Sequence, residues 1–171
     1  MKNILMNTEM TKVILDGRKT QTRRVITARI RDLNNGFFNI NMSDEDYVIV
    51  GVELEREEVK DFILENKEPE YQIDEIIEIA KTTEFNIDIF LKVTDIRVER
   101  LQDITIEDCY DEGIDPFDVM EMLDGTEFKE FVVFEKIWNK TAPKGYKWSD
   151  NPYVFVYEFE RVENDNKLSK K

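Results

Sequence analysis

The sequence predicts an α+β fold, in which long strands are combined with amphipathic helices. Two segments, 87–101 and 153–162, alternate apolar and polar side chains over a strand-like length. Two others, 105–112 and 127–139, repeat apolar residues at helical spacing. Because strands of this kind are not stable alone, we expect the two long strands to lie in one sheet.

The first predicted elements are a short helix and a strand joined by a basic segment. The helix begins at Thr8, whose hydroxyl can cap its N-terminus, and it ends at Gly17, where a left-handed residue is expected. Beyond Thr20, alternation and β-branched side chains predict a strand that continues to Val25. A cationic segment therefore leaves a helix and enters a sheet.

The middle of the chain is predicted to be an elaboration of one domain rather than a second domain. Within the block 29–70, two strands and a polar turn are expected over 34–51, and a helix over 55–66. No Gly/Ser-rich linker marks a boundary. We therefore predict a single domain over 1–162, followed by a polar, disordered tail over 163–171.

The strand pattern predicts a bend. A strand is expected over 71–80, with its entry turn around Asp74–Glu75, and a longer strand over 87–101. In the longer strand, the alternating apolar residues shift by one between Val93 and Ile96, which indicates a β-bulge. Bulges of this kind bend a sheet, as closure into a barrel requires.

The helix over 105–112 carries its own start and stop signals. Thr105 and Asp108 have the spacing of a capping box, with Asp in place of Glu or Gln. Gly113 stands where the helix must end. The position of this helix, directly after the long strand, is therefore predicted from local residues alone.

Composition excludes several function classes. The chain has 171 residues, no histidine and a formal net charge of -14, so histidine-based triads and zinc sites are excluded. The acidity argues against a general nucleic-acid binder, because attraction to phosphate dominates that kind of affinity. The lone Cys109 makes no internal disulfide, and no apolar run reaches the ~20 residues of a membrane span. We predict a cytoplasmic protein that does not contact a membrane.

One segment of this acidic chain is basic. Six basic residues and no acidic one lie between Asp16 and Asp32: Arg18, Lys19, Arg23, Arg24, Arg29 and Arg31. They either pair with carboxylates elsewhere in the chain or form a local site for a small or short ligand. In the second case, Arg18, Arg23 and Arg24 would hold a phosphate or a carbonyl by forked hydrogen bonds.

Three motifs in order resemble a known family. Gly17-Arg-Lys-Thr-Gln-Thr-Arg-Arg24 resembles the Gly-x-Lys-x-x-[Glu/Thr]-x-Arg motif of the ASCH superfamily, which is related to the PUA domain. Leu101-x-Asp-Ile-Thr and the Glu112-Gly113 pair resemble the larger, phage-type members, as does the ending from Trp148. The resemblance covers 4–26 and 71–162. It implies a small PUA-like mixed β-barrel with flanking helices, and a bacteriophage or prophage origin.

The resemblance also implies a candidate catalytic site. Some compact ASCH proteins remove the acyl group from N4-acetylcytidine without a metal, and their catalytic residues correspond to Lys19, Thr22 and Glu112. In that role Thr22 would be the nucleophile, Lys19 would accept its proton, and Glu112 would protonate the departing amine. The structural alternative is an ordinary ion pair between Lys19 and Glu112.

The catalytic interpretation requires the side chains of Lys19 and Thr22 to face the same side of the chain. Lys19 and Thr22 are separated by an odd number of positions, so an ideal strand would place them on opposite faces. We therefore expect an irregular backbone at Thr20–Gln21 and a hydrogen bond, direct or through water, between the two side chains.

Three functions remain open. The implied ligand-binding residues are Arg18, Arg23, Arg24, Trp148 and Asn151, with neither a cofactor nor a metal. The chain binds RNA or a modified nucleoside in a basic cleft, or it hydrolyses an N4-acylated cytidine. The alternative is an acidic phage interaction protein that binds a host protein or mimics nucleic acid. The sequence leaves the oligomeric state open.

Overall fold

A mixed sheet forms the centre of the structure, which is a computed structural model that describes residues 1–26, 29–31, 37–39, 48–49, 52–53, 56–81, 84, 86–120 and 129–163. The strands are β1 (Asn3–Ile4), β2 (Gln21–Val25), β3 (Arg29–Arg31), β4 (Phe37–Asn39), β5 (Val48–Ile49), β6 (Val52–Glu53), β7 (Ile76–Ile79), β8 (Phe90–Arg100) and β9 (Tyr153–Val162). The helices are α1 (Thr8–Leu15), α2 (Arg56–Asn66), α3 (Ile106–Asp111), α4 (Pro116–Met120) and α5 (Lys129–Thr141).

The central sheet has five strands in the order β1-β7-β8-β9-β2. β1 runs parallel to β7, and the other neighbours are antiparallel. The two predicted long strands, β8 and β9, pair with each other, so the prediction that they share a sheet is confirmed. The α+β class is confirmed as well.

Two apolar clusters lie on opposite faces of this sheet. One contains Ile14 of α1, Ile63 of α2 and Tyr157 of β9. The other contains Cys109 of α3, Phe134 of α5 and the β9 residue next to Tyr157, Val156. Because neighbouring strand residues point to opposite faces, β9 contributes to both clusters and connects the two layers.

The predicted closure into a barrel is wrong for the strands that the structure describes. The outer strands β1 and β2 lie at opposite ends of the sheet and do not pair with each other. β1 is only two residues long and pairs with β7. The bulge alone was a poor guide to closure, because it bends two paired strands without joining the outer ones.

Local signals were better guides. The predicted bulge is present as a register shift between Val93 and Asp95. The capping box of α3 is formed by Thr105 and Asp108, and Gly113 follows the helix with a φ of 95°. The cap of α1 is a correction, because the side chain of Asn7, not Thr8, accepts a hydrogen bond from the backbone of the first turn.

The elaboration is described only in part. Two described strands, β4 and β5, lie within 34–51, but they belong to separate antiparallel pairs, β4 with β3 and β5 with β6, whose partners lie outside that range. Helix α2 begins one residue after the predicted start. Within 71–80 the strand is β7, and the entry turn predicted around Asp74–Glu75 is present, with a positive φ at Asp74. The division between 1–162 and the tail stays a prediction, since 164–171 lie outside the described residues.

Candidate functional site

A small cavity of about 80 Å³ lies beside β2. It is bordered by the polar side chains of Thr22, Arg23, Arg24 and Glu112. Its apolar wall comes from Met10 of α1, from Ile114, and from Phe134, Ile137 and Trp138 of α5. The basic segment therefore contributes to a concave site, but the opposite wall is aromatic and aliphatic rather than charged.

The cavity runs along the outer edge of β2. Thr22 pairs with Tyr157 and Arg23 with Val156, so these two neighbours lie on different faces of the sheet. Residues from both faces border the cavity, which places it at the edge away from β9. The Thr20 backbone oxygen accepts from Phe159 and the Ile26 N–H donates to Tyr153, both on β9. Because this bonding alternates along an antiparallel pair, the backbone N–H and C=O of Arg23 point to the outer edge.

Arg23 is the centre of a buried ionic network. Its guanidinium is fully buried and pairs with Glu99 of β8 and with Asp108 and Glu112 at the two ends of α3. Its Cζ also lies 6.0 Å from the centre of the Phe134 ring. One side chain thus connects β2, β8, α3 and α5, which fixes the helices against the sheet.

Lys19 also belongs to the ionic network, because it pairs with Glu112. Its Nζ donates to Glu112 Oε2 at 2.7 Å and to the Glu112 backbone oxygen at 2.9 Å. Burial lowers the pKa of Lys19, although the charge of Glu112 and its hydrogen bond oppose this shift. The other oxygen of Glu112 accepts from Arg23 at 3.1 Å. Both carboxylate oxygens are therefore occupied by cations.

The network continues toward the surface through Asp108. Its Oδ1 accepts from Gln21 Nε2 at 2.8 Å and from Arg97 Nη2 at 2.9 Å, and Arg97 also pairs with Glu158. Burial acts to raise the pKa of Asp108, but hydrogen bonds from Gln21 and Thr105, together with nearby cations, outweigh burial and lower it.

The charges of this site cancel. The four cations are Lys19, Arg23, Arg24 and Arg97, and the four carboxylates are Glu99, Asp108, Glu112 and Glu158. Arg24 is in no ion pair within the described part of the chain, and its Nη2 donates to the backbone oxygen of Leu5 at 2.8 Å. Within the basic segment, the charges of Lys19 and Arg23 are therefore neutralised by carboxylates where the chain folds, whereas that of Arg24 is not.

The structure places Lys19 and Thr22 on different faces of the sheet. The β2–β9 register is continuous from Gln21, but Thr20 lies before it: its carbonyl oxygen accepts from Phe159, whereas its N–H donates to the backbone oxygen of Asp111 at 2.8 Å and not to β9. Thr22 lies on the face of Tyr157, whereas Lys19 reaches Glu112 beside α3 on the opposite face. Among the described residues no hydrogen bond joins Lys19 to Thr22. Glu112, not Lys19, borders the cavity with Thr22.

The other predicted ligand-binding residues are divided between the cavity and its surroundings. Arg18 lies at the surface and pairs with Asp16 and Asp115. Trp148 is outside the set of residues bordering the cavity and packs edge-on against Phe134. Asn151 ends a 3-10 turn in a left-handed conformation, and its Oδ1 accepts from the backbone of Gln102. The ligand-binding roles of these residues stay predictions.

The aromatic wall of the cavity and the carboxylates that pair with Arg23 were not predicted from the sequence. The helical periodicity places Phe134 and Trp138 on the apolar stripe of α5, and nothing in that stripe distinguishes a cavity wall from a core contact. The sequence pattern indicates Asp108 only as a cap and gives no signal at Glu99. One signal was available in the sequence: carboxylates are in excess in β8 and α3 taken together, before Gly113. A buried guanidinium such as that of Arg23 requires carboxylate partners of this kind.

Comparison with known proteins gives structural similarity only. No family model matches the chain, and no curated protein matches its sequence. Solved structures similar to it include a DUF984-family protein from Enterococcus faecalis V583, with 10% identity over 97% of this chain and 74% of that chain and a TM-score of 0.49. They also include an ASCH domain from Lactobacillus crispatus JV V101, with 9% identity over 95% of this chain and 81% of that chain and a TM-score of 0.47.

An ASCH domain is thus among the solved structures to which this chain is similar. The assignment of the chain to the ASCH superfamily, and to its larger, phage-type members, stays a prediction. In the described part of the chain, none of the helices combines the length and the apolar character that crossing a bilayer requires.

Proposed function

We propose that this chain is an ASCH-type protein that binds a modified nucleoside, free or within a short RNA, at the cavity beside β2. The composition of the cavity carries the proposal: the Thr22 hydroxyl, the Arg24 guanidinium and the Glu112 carboxylate border an aromatic wall. A modified base offers the matching combination of a flat apolar face and a few polar atoms at its edge.

Arg24 is the residue that we expect to recognise the ligand. A guanidinium has five N–H donors, and the described contacts of Arg24 use its Nη2 alone, toward Leu5 and the Met6 sulfur. The outward backbone N–H of Arg23 is a second donor at the same edge. Together they would hold a carbonyl oxygen or a ring nitrogen, while Thr22 would donate or accept as the ligand requires.

The test is equilibrium binding by calorimetry of N4-acetylcytidine, cytidine and a short RNA. Arg24→Ala is expected to weaken the ligand that binds by about 1.5–3 kcal/mol, the range for a hydrogen bond to a charged group. Arg161→Ala is the matched control, because that guanidinium also donates to a backbone oxygen, Leu15 O, but does not border this cavity. Equal losses in both variants, or no loss in either, would place the ligand elsewhere.

Hydrolysis of an N4-acylated cytidine is the second candidate, and it is favoured by the shared position of Thr22 and Glu112 on the cavity. Thr22 Oγ1 would give its proton to Glu112 and attack the acyl carbon, the C–N bond would break, and cytidine would leave with the proton from Glu112. Water would then hydrolyse the Thr22 ester, which releases the carboxylic acid and restores the hydroxyl. Because Lys19 lies behind Glu112, it would act through that carboxylate and not on Thr22 directly.

The hydrolytic candidate is tested by following release of cytidine from N4-acetylcytidine by chromatography. Thr22→Ala and Glu112→Gln are expected to abolish release, and Thr20→Ala is the control because Thr20 does not border the cavity. Binding without release would restrict the function to ligand recognition. If neither nucleoside nor RNA binds, the acidic interaction protein becomes the better hypothesis.

A further inference from the structure

We propose that the outward face of α4 is a docking surface for a basic, amphipathic segment of another protein. Phe117 and Met120 form this face, and the carboxylates of α3 and α4 determine the charge of the partner that it accepts. The inference is independent of the proposed function, because neither Phe117 nor Met120 borders the cavity beside β2.

Helix α4 is fixed to the protein on one side only. Val119 is buried in the apolar cluster that contains Phe134 of α5. Phe117 and Met120 are three positions apart, so their side chains are neighbours on the helix surface. Their exposed fractions are 73% and 69%, so none of the described residues covers this face. An aromatic ring beside a methionine is typical of surfaces to which other proteins bind.

The chain around this face has a single sign of charge. Between Arg100 and Lys129 the sequence has ten acidic residues and no basic one. The five-residue step from Asp111 to Pro116 spans at most about 18 Å, so the charges at the end of α3 lie near α4. A positively charged partner is therefore attracted to this region, whereas a nucleic acid is repelled from it.

Some of these carboxylates are not neutralised by the fold. Asp115 pairs with Arg18. By contrast, Glu107 and Asp118 are exposed and form no ion pair within the part of the chain that the structure describes. Glu107 and Asp111 also lie four positions apart on α3, where two like charges destabilise a helix. A lysine or arginine of a partner would relieve this repulsion.

The apolar face and the charges together specify the occupant. A purely basic segment would pair with the carboxylates but would leave Phe117 and Met120 in water. A purely apolar segment would gain nothing from the charges. A segment in which Lys or Arg is interspersed with leucine-like side chains matches both features. About ten residues of extended chain measure roughly 33 Å, which is enough to contact α4 and the end of α3 together.

The experiment measures binding of a fluorescein-labelled peptide of about twelve alternating Lys and Leu residues to the full chain by fluorescence anisotropy. The double variant Phe117→Ser/Met120→Ser is expected to bind it at least about tenfold more weakly, because it removes the apolar area that the peptide would bury. Leu5→Ser is the control, since that leucine is 77% exposed and lies outside α3 and α4.

A second pair of variants tests the charges. Glu107→Gln/Asp118→Asn removes two charges from the proposed surface, and Glu68→Gln/Glu160→Gln removes two exposed charges elsewhere. The first pair should weaken binding by about threefold or more and reduce its dependence on salt, whereas the second should change both less. This comparison keeps the net charge of the chain equal.

Four outcomes would overturn the proposal. The first is equal affinity of the wild-type chain and Phe117→Ser/Met120→Ser. The second is unchanged affinity when serine replaces every leucine of the peptide, because charge alone then explains binding. The third is an equal loss in the two charge variants, which indicates a general attraction to an acidic chain. The fourth is binding to vesicles of neutral phosphatidylcholine in place of the peptide, which would make the face a membrane contact.

Discussion

Arg18 and Arg23 belong to the same basic segment, yet the fold uses them in opposite ways. The Arg23 side chain is 0% exposed and pairs with three carboxylates from β8 and α3. The Arg18 side chain is 40% exposed and pairs at 3.3 and 3.5 Å with two surface carboxylates. The comparison teaches that a run of basic residues is not one functional unit. Burial decides which of its charges stabilise the fold and which remain at the surface.

The largest effect is expected from removing the buried charge. Arg23→Leu leaves Glu99, Asp108 and Glu112 close together without their shared cation, and removing one partner of a buried ion pair typically costs about 3–5 kcal/mol. Urea denaturation at neutral pH measures the loss. A loss below about 1 kcal/mol would show that the network contributes little to stability.

Two glycines allow a second comparison between the buried network and the exposed part of the segment. Gly113 lies against Lys19 of the buried network, and Gly17 directly precedes the exposed Arg18. A Cβ at Gly113 would lie 2.7 Å from Val13 Cγ1 and 3.2 Å from Lys19 Cβ, whereas one at Gly17 would meet nothing within 4 Å. Both have positive φ. Gly17→Ala should therefore cost about 1–2 kcal/mol from the backbone alone. Gly113→Ala should cost about 1–3 kcal/mol more because of overpacking.

The glycine pair is measured by thermal and urea unfolding of the two variants side by side. Equal losses would mean that α1, α3 and Lys19 can separate without cost at this contact. A larger loss at Gly113 would show that the packing there is tight enough to hold Glu112 in place.

A smaller, pH-dependent effect is expected at Asp108. Its folded pKa is lower than the unfolded reference of 3.8, so the folded state binds fewer protons between the two values. The stability from Asp108 is therefore fully present above about pH 4 and is lost as pH falls through the folded pKa. Asp108→Asn should flatten this part of the stability curve. Urea titrations at steps of pH would detect the change, and an unchanged slope would contradict it.

The smallest effect is expected at the surface. Arg18→Ala should change the free energy of unfolding by about 0–1 kcal/mol, because exposed ion pairs gain little over water. The same urea experiment used for Arg23→Leu serves here, with both variants at low and high salt. A loss at Arg18 comparable to that at Arg23 would remove the basis of the comparison.

The sequence predicted the elements whose signals are local. The capping box of Thr105 and Asp108, the left-handed glycine after α1 and the register shift beyond Val93 depend on residues a few positions apart. The Arg23 network could not be predicted, since its partners come from β8 and α3, far along the chain. The open sheet was missed for the same reason, because closure depends on whether β1 and β2 meet.

The candidate site was predicted in part. Lys19 and Glu112 do meet, but the regular register of β2 turns Thr22 to the other face. The aromatic wall comes from Trp138 rather than Trp148. Both tryptophans lie close to Phe134, and the choice between them depends on how α5 is rotated against the sheet. A periodicity in the sequence identifies an apolar stripe without fixing that rotation.

The pairing of β2 with β9 has a consequence for the synthesis of the chain. β2 leaves the ribosome before α5 and β9, which supply the cavity wall and the neighbouring strand. A chain made only as far as α5 therefore has the basic segment without its strand partner. The cavity can form only after β9 has been made, so during synthesis the basic segment exists first without its site.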